Sequence, residues 1–458
     1  MRWILVAFAG VGLAMAASAS AEVVARAPDG LLAVNPRGRP LVGYMRGGDL
    51  VIAQRIGPNR WRRERVARFA KGSTLAALAA GVAGPVAAIV GPTERNIIIV
   101  RRRGRRWLKM SLTGRLGLGF VVGWPGVALD RRGLPIVAYT RWRPRTSDSY
   151  LILAKISARG KLHTQRITAA GFPESYSAPP AAPVVLRNGA VHVVETYGIG
   201  GVVGTIEWMP TGKTWTGLFL SAGSGGFPIG PMFALLGGRG SVLYTAWSEA
   251  SVAMGNFPVT IAARGRAATT EDIVSERGIT TGLVLTRNGP AAATNEWLSG
   301  DEFGFPTADA VWAGRVTGVG GSEFDGRIAG LATVPGSNAE DLLLIKGGML
   351  TWFRTPASLP IRVNLAAADR ADGSVALSGR VEGARGGRVT IYREQSERSR
   401  TAAARIQLGS SASFAFVDPP RSQPAIYRAV YTDPATGIPY AKLLRRPTAL
   451  PAEEDASG

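Results

Sequence analysis

Cysteine is absent from the 458 residues, and histidine occurs only as His163 and His192. The first absence excludes disulfides, thiolate metal sites and a cysteine nucleophile. No H-E-x-x-H zinc motif and no G-x-S-x-G nucleophile elbow occur. Gly212-Lys213-Thr214 ends like a phosphate-binding loop, but Glu207 stands where its first glycine is required. Runs of alternating aspartates that would hold calcium are missing too, so neither a metal nor a cofactor is expected. Acidic residues are outnumbered: 54 Lys and Arg against 32 Asp and Glu give a formal charge of +22, nearly all of the excess being Arg. Such a field attracts anionic polymers or lipid headgroups. The charge fits equally an arginine-biased composition. None of the named nucleic-acid modules is present, and nucleic acid is not an expected partner.

Long hydrophobic runs are few. Ile4 to Ala17 is apolar, with Arg2 before it and Ala19-Ser20-Ala21 after it. This is the pattern of a signal peptide over residues 1–21, cleaved near Ala21, and the run is shorter than the ~20 residues of a spanning helix. The expected location is extracytoplasmic, in a bacterial cell envelope or the medium. A second run, Leu75 to Val90, is interrupted by Gly81, Gly84 and Pro85 and reads as two buried strands.

What is abundant is turn chemistry: Gly 59 and Pro 29 accompany a hydrophobic content of 46%. Val127 to Tyr139 is the clearest unit, an apolar run, a turn at Asp130-Arg-Arg-Gly133, and a second apolar run. Glycine supplies the positive φ of the reversal and β-branched residues favour the flanks, so the unit is a hairpin. The same grammar recurs at Gly38, Gly84, Gly133, Gly189, Gly240 and Gly289, with a degenerate version near Asp341. Subtracting neighbouring positions gives spacings of roughly 46 to 56 residues, the period of propeller blades. Blades are expected over Leu31–Val66, Leu75–Leu112, Gly126–Ile167, Ala181–Leu220, Pro231–Val274 and Gly282 to about Val316. A last blade supplies three strands only, near Ile328, Leu342 and Met349. Glu22 to Arg26 has no hairpin partner of its own and is expected to complete that blade and close the ring.

Across residues 22–356 the chain thus resembles the β-propeller superfamily, by architecture and not by a WD40, kelch or YVTN signature. Thr211-Gly-Lys-Thr-Trp215 resembles the end of a sialidase Asp-box without its Asp, and related turn-then-Trp pieces stand at Trp61 and Trp107. Such turns are structural. After the Pro-bearing linker 356–360, about seven separated strands fill 361–448, with alternation such as Val389/Ile391 against Thr390/Tyr392. This stretch resembles the immunoglobulin-like modules of bacterial exported proteins. The tail 451–458 is acidic and expected to be disordered. The fold class is therefore all-β, a seven-bladed β-propeller followed by an immunoglobulin-like β-sandwich.

In a propeller the turns between strands one and two, and three and four, share one face. The connections from strand two to three and from blade to blade share the other. On the first face fall Arg37, Arg39, Arg60, Arg101 to Arg103, Arg131, Arg132 and others. They form either a basic surface for contact with an anionic wall polymer or membrane, or simply solvated turns. On the second face three blades in succession end their second strand with a carboxylate beside an aromatic: Glu195 with Tyr197, Trp247 with Glu249, Glu296 with Trp297. Trp124, Tyr139, Arg141 and Trp142 join them. Aromatic faces stack on sugar rings and carboxylates accept sugar hydroxyls, so these ten residues are the candidate glycan-binding set. The ordinary reading is aromatics packed under loops and carboxylates paired with arginine.

Three functions follow: a secreted protein binding glycan or anionic envelope polymer, a propeller glycoside hydrolase or lyase, or a structural envelope protein. Hydrolysis needs two carboxylates about 5 to 9.5 Å apart, and Glu195, Glu249 and Glu296 are the candidates at equivalent repeat positions.

Overall fold

The computed structural model describes residues 20–113, 120–143, 145–146, 148–167, 181–186, 188–199, 202–224, 233–237, 243–248, 259–264, 269–275, 279–286, 289–297, 312–316, 322–333, 339–355, 361–384, 386–396, 399–420 and 426–444. They form an all-β chain; no helix occurs among them. Residues 1–19 of the signal-peptide segment, the linker 356–360, the acidic tail and Gly240 lie outside the described residues.

Each hairpin unit becomes part of an antiparallel sheet whose strands follow in chain order. The first sheet is Leu31–Val34, Pro40–Arg46, Asp49–Gly57 and Arg60–Arg68; the second is Thr74–Gly81, Gly84–Val90, Ile97–Arg103 and Arg106–Ser111. In the third, Val121–Val122 and Gly126–Leu129 both pair along one edge of Pro135–Arg143, which continues to Asp148–Ile156 and Leu162–Arg166. The fourth holds Ala181–Val185, Val191–Ile199, Val202–Thr211 and Thr214–Ser224, and the fifth Phe233–Gly237, Leu243–Ser248, Val259–Arg264 and Thr269–Ser275. The sixth begins Ile279–Thr286, Gly289–Trp297, Trp312–Val316 and ends on the three-residue strand Ser322–Phe324. That last strand lies beyond the blade boundary expected near Val316.

The turns show why the repeat is legible. Asp130 Oδ1 accepts from the backbone N–H groups of Arg132 and Leu134 at 2.8 Å, and Gly133 takes φ +75°. Asn35 does the same for Arg37 and Arg39, so a side-chain oxygen replaces ladder partners that the reversal removes. The degenerate unit near Asp341 is the hairpin of Arg327–Thr333 and Glu340–Lys346, which closes at Thr333 opposite Glu340; Asp341 itself is on the second strand. It sits within Glu340–Lys346, is fully buried, and is held by a bidentate Arg354 at 2.9 Å.

The seventh sheet runs Arg327–Thr333, Glu340–Lys346, Met349–Arg354, and its outer strand is Glu22–Arg26, from the opposite end of the chain. Val24 of that strand is fully buried. Glu22 reaches into the first sheet, where Arg55 Nη2 donates to it at 2.7 Å and Trp61 Nε1 at 2.9 Å. The next pair of sheets repeats the clasp: Trp107 Nε1 donates to Glu64 at 2.7 Å, with Arg102 beside it at 3.4 Å. The turn-then-Trp pieces thus tie the outer strand of one sheet to its neighbour.

First strands lie against first strands throughout. Leu31–Val34 contacts Thr74–Gly81, which contacts Gly126–Leu129, then Ala181–Val185, Phe233–Gly237, Ile279–Thr286 and Arg327–Thr333, which returns to Leu31–Val34. Space there is tight: a Cβ at Gly330 would stand 2.7 Å from Leu32 Cβ, and one at Gly126 only 2.5 Å from Ala182 Cα. Between sheets the core is aliphatic; Ile89, Ile97, Ile99 and Val100 are at most 1% exposed, as the apolar runs require. Leu75 to Val90 is the expected buried hairpin, its tip marked by Val82 at 75% exposure.

The C-terminal strands make two layers. Arg362–Asp369, Val375–Glu382 and Ser413–Asp418 form one; Pro439–Leu444, Ile426–Thr432, Arg388–Ser396 and Ser399–Gln407 form the other. Val363, Leu377 and Phe414 pack against Val389, Ile391 and Tyr431 in one core. The second layer joins the sixth sheet edge to edge through Phe324 and Tyr440. Behind this joint Asp325, 2% exposed, is paired with Lys346, with Arg400 at 2.8 Å and with Arg428 at 3.2 Å.

Candidate functional site

In each of the seven sheets the second strand leads to the third at one end, and the third sheet puts its chemistry there. Along Pro135–Arg143 the period of two sends Tyr139, Arg141 and Arg143 to one face and Trp142 to the other. Tyr139 is 4% exposed and belongs to the core between the second and third sheets; burial pushes its phenol up, against a smaller pull from Arg141. Two residues on, the strand clears the core. Arg141 and Arg143 both stand over the Phe120 ring, at 3.7 and 4.4 Å, and Arg166 covers Tyr150 at 3.9 Å. Tyr150 is the cross-strand partner of Arg141. Burial lowers the Arg141 pKa. Its Nε and the Nε1 of Trp142 are buried donors with no hydrogen-bond partner. A guanidinium laid flat on a ring keeps its N–H edge for an acceptor, so the cluster is poised for an oxyanion or a sugar hydroxyl.

The other sequence candidates fall elsewhere. Trp124 sits where the first strand of the third sheet is broken and donates from Nε1 to the Ala76 carbonyl at 3.0 Å, bracing the second sheet. Glu195 is 6% exposed and accepts from Trp208 Nε1 at 2.7 Å; burial raises its pKa to about 7 despite that hydrogen bond. Glu296 is half-buried and faces Arg315 at 3.6 Å. Each of these two carboxylates therefore has its own partner, and the structure brings neither to the arginine cluster. Tyr197, Trp247 and Trp297 lie in strands, opposite Gly204, Thr260 and Trp312. Glu249 lies outside the described residues.

Cations are not confined to the tight-turn end. Arg26, Arg46 and Arg63 line a cavity of about 220 Å³ with Tyr44, next to the two-residue connections Gly47–Gly48 and Gly347–Gly348. Conversely Arg101, expected on an exposed turn, is 6% exposed and donates to the Ala158 carbonyl at 3.1 Å, because the neighbouring sheet covers it. Arg37, Arg39, Arg131 and Arg132 are exposed. His163 is exposed and His192 meets Glu207 at 2.8 Å. Among the described residues no three His, Asp or Glu side chains converge as metal ligands would. Sequence reasoning missed Phe120, Tyr150 and Arg166; of these only Tyr150 is set opposite Arg141 by strand register, and the other two arrive through packing.

No protein-family model and no curated protein matches the chain. Similar solved structures include a PL25 polysaccharide lyase named as an ulvan lyase (9% identity, 58% of this chain and 75% of that one, TM-score 0.40). Another is the GH93 α-L-arabinofuranosidase of Fusarium graminearum with arabinobiose (12% identity, 61% and 92%, TM-score 0.39). A fucose lectin from Kordia zhangzhouensis matches at 15% identity over 32% and 97%, with a TM-score of 0.25. At these TM-scores the likeness assigns no activity to this chain.

Proposed function

We propose that residues 22–356 form a seven-bladed propeller closed by Glu22–Arg26, that 361–448 form an immunoglobulin-like sandwich, and that the exported protein binds an anionic polysaccharide at the strand-two-to-three end of the ring. Closure is supported by the cyclic contacts of the first strands, and the sandwich by its two-layer core. Export rests on the signal-peptide pattern of residues 1–21. One observation carries the binding reading: Arg141 and Arg143 stacked on Phe120, with the Arg141 Nε donor unused. The Arg26, Arg46 and Arg63 cavity adds positive charge at the same end. Affinity electrophoresis in polygalacturonate and in neutral arabinan tests it. Retardation is expected in the acidic polymer only, weakening steeply from about 0.05 to 0.5 M salt and in Arg141→Gln. Equal retardation in both polymers, or none in either, overturns the reading.

Cleavage is the second reading, favoured by Glu195, a carboxyl that keeps its proton to about pH 7 as a general acid must. Its burial against Trp208 weighs on the other side. Turnover of an acidic polysaccharide that vanishes in Glu195→Gln, with binding retained, would select catalysis.

A further inference from the structure

Where the sixth sheet meets the C-terminal strands there is a cleft of about 230 Å³, lined by Arg315, Glu323, Arg362, Asn364, Ala441 and Lys442, with Val363 completing the wall. Its parts come from four strands. Arg315 and Glu323 are cross-strand partners in the sixth sheet; Arg362 and Asn364 open the first C-terminal strand, and Lys442 lies on the strand that joins the two. Lys442 Nζ holds Glu323 at 2.6 Å and Asn364 Nδ2 donates to Glu382 at 2.9 Å. Arg315 meets Glu296 only at 3.6 Å, and its Nε is a buried donor with no hydrogen-bond partner.

The lining carries three cations and one carboxylate; Lys442 is spent on Glu323 and Arg315 faces Glu296, which leaves the Arg315 Nε as the donor without an acceptor. A buried donor without an acceptor is costly, and an incoming oxyanion would remove that cost. Only Val363 and Ala441 are apolar, which disfavours a hydrophobic ligand. The volume is below the ~300–1,000 Å³ of pockets for drug-sized molecules, so a single compact unit fits.

We propose that this cleft binds an oxyanion, a carboxylate or a sulfate ester, borne by a small hydrophilic ligand such as an acidic sugar. Arg315 would grip the anion through its Nε, with Arg362 adding positive charge at the rim, while Lys442 neutralises Glu323. The site is separate from the Arg141 cluster and does not rest on the function proposed above.

Titration calorimetry on the whole chain tests it, with galacturonate, galactose 6-sulfate, sodium sulfate and galactose as separate titrants. Either or both acidic sugars should bind, which identifies the group, and galactose should not. Arg315→Gln should weaken binding about tenfold, the loss of one charge-assisted contact, and Arg362→Gln should weaken it less. Glu323→Gln should tighten it about threefold or more by removing the opposing charge; a gain cannot come from misfolding. Binding of galactose as tight as that of galacturonate, binding of free sulfate alone, no binding at all, or no response to Arg315→Gln and Glu323→Gln overturns the assignment.

Discussion

Glu195 illustrates how little the identity of a residue says before its surroundings are known. As a carboxylate at a strand end it is a sugar-binding or catalytic candidate; folded, it is buried under Trp208 with its pKa raised to about 7. The unfolded chain releases this proton near pH 4.3, so between there and about pH 7 the native state holds a proton that the unfolded state has lost. Stability from this group therefore falls as pH rises through that window and is constant above it. Glu195→Gln should match the parent near pH 4 and exceed it by a few kcal/mol at pH 8 in urea melts; a gap that does not change with pH contradicts the burial account. Arg101 teaches the same lesson in reverse. The sequence marks it as a turn cation, yet the third sheet covers it and Ala158 takes its N–H. The Arg141 cluster was half visible, since Arg141 and Trp142 are strand-end residues, but Phe120, Tyr150 and Arg166 become neighbours only through pairing and packing.

Among the elements, those with several alternating residues and a glycine turn could be read directly, and the seven C-terminal strands were. Ser322–Phe324 could not, because three residues show no period; it is a strand by virtue of its neighbours Gly314 to Val316 and Tyr440. The hairpin near Asp341 was legible as well, although Asp341 lies on its second strand, paired with Arg354, and not in the reversal. The joint beside Ser322–Phe324 is held by Asp325. Burial works to raise that carboxyl, but the charges of Arg428, Lys346 and Arg400 outweigh it and hold it below the usual aspartate range. Asp325→Asn would leave Arg400 and the buried Arg428 to share Glu394, and should cost about 3–5 kcal/mol at pH 7. That difference should shrink as pH falls through the folded pKa of Asp325, since the stabilisation exists only above it. An unchanged urea midpoint at pH 7 would show that the joint does not depend on this carboxylate.

At the scale of the molecule, the glycine turns announced antiparallel sheets whose strands follow in chain order, and the lone strand after Ala21 pairs with Met349–Arg354. Sequence could not tell which cations stay exposed, because exposure depends on how sheets cover one another. If Glu22–Arg26 is the seal of the ring, Val24→Asp should unseat it, with a loss of about 3 kcal/mol or more from placing a charge in a fully buried site. The bared edge of Met349–Arg354 should then promote association, seen as larger species in size-exclusion chromatography. A monomer of parental stability would argue against the seal.

The pairing itself is open to a direct test, because the chain has no cysteine to confuse it. Val23 and Thr351 are opposed antiparallel partners, and such Cα atoms stand about 4.5–5.5 Å apart, within disulfide reach. In the double variant Val23→Cys, Thr351→Cys, mild oxidation should consume both thiols within one chain and give a faster-moving monomer on a non-reducing gel. Two thiols that stay free, or crosslinks only between chains, would mean that Glu22–Arg26 does not complete the seventh sheet and that the ring is open.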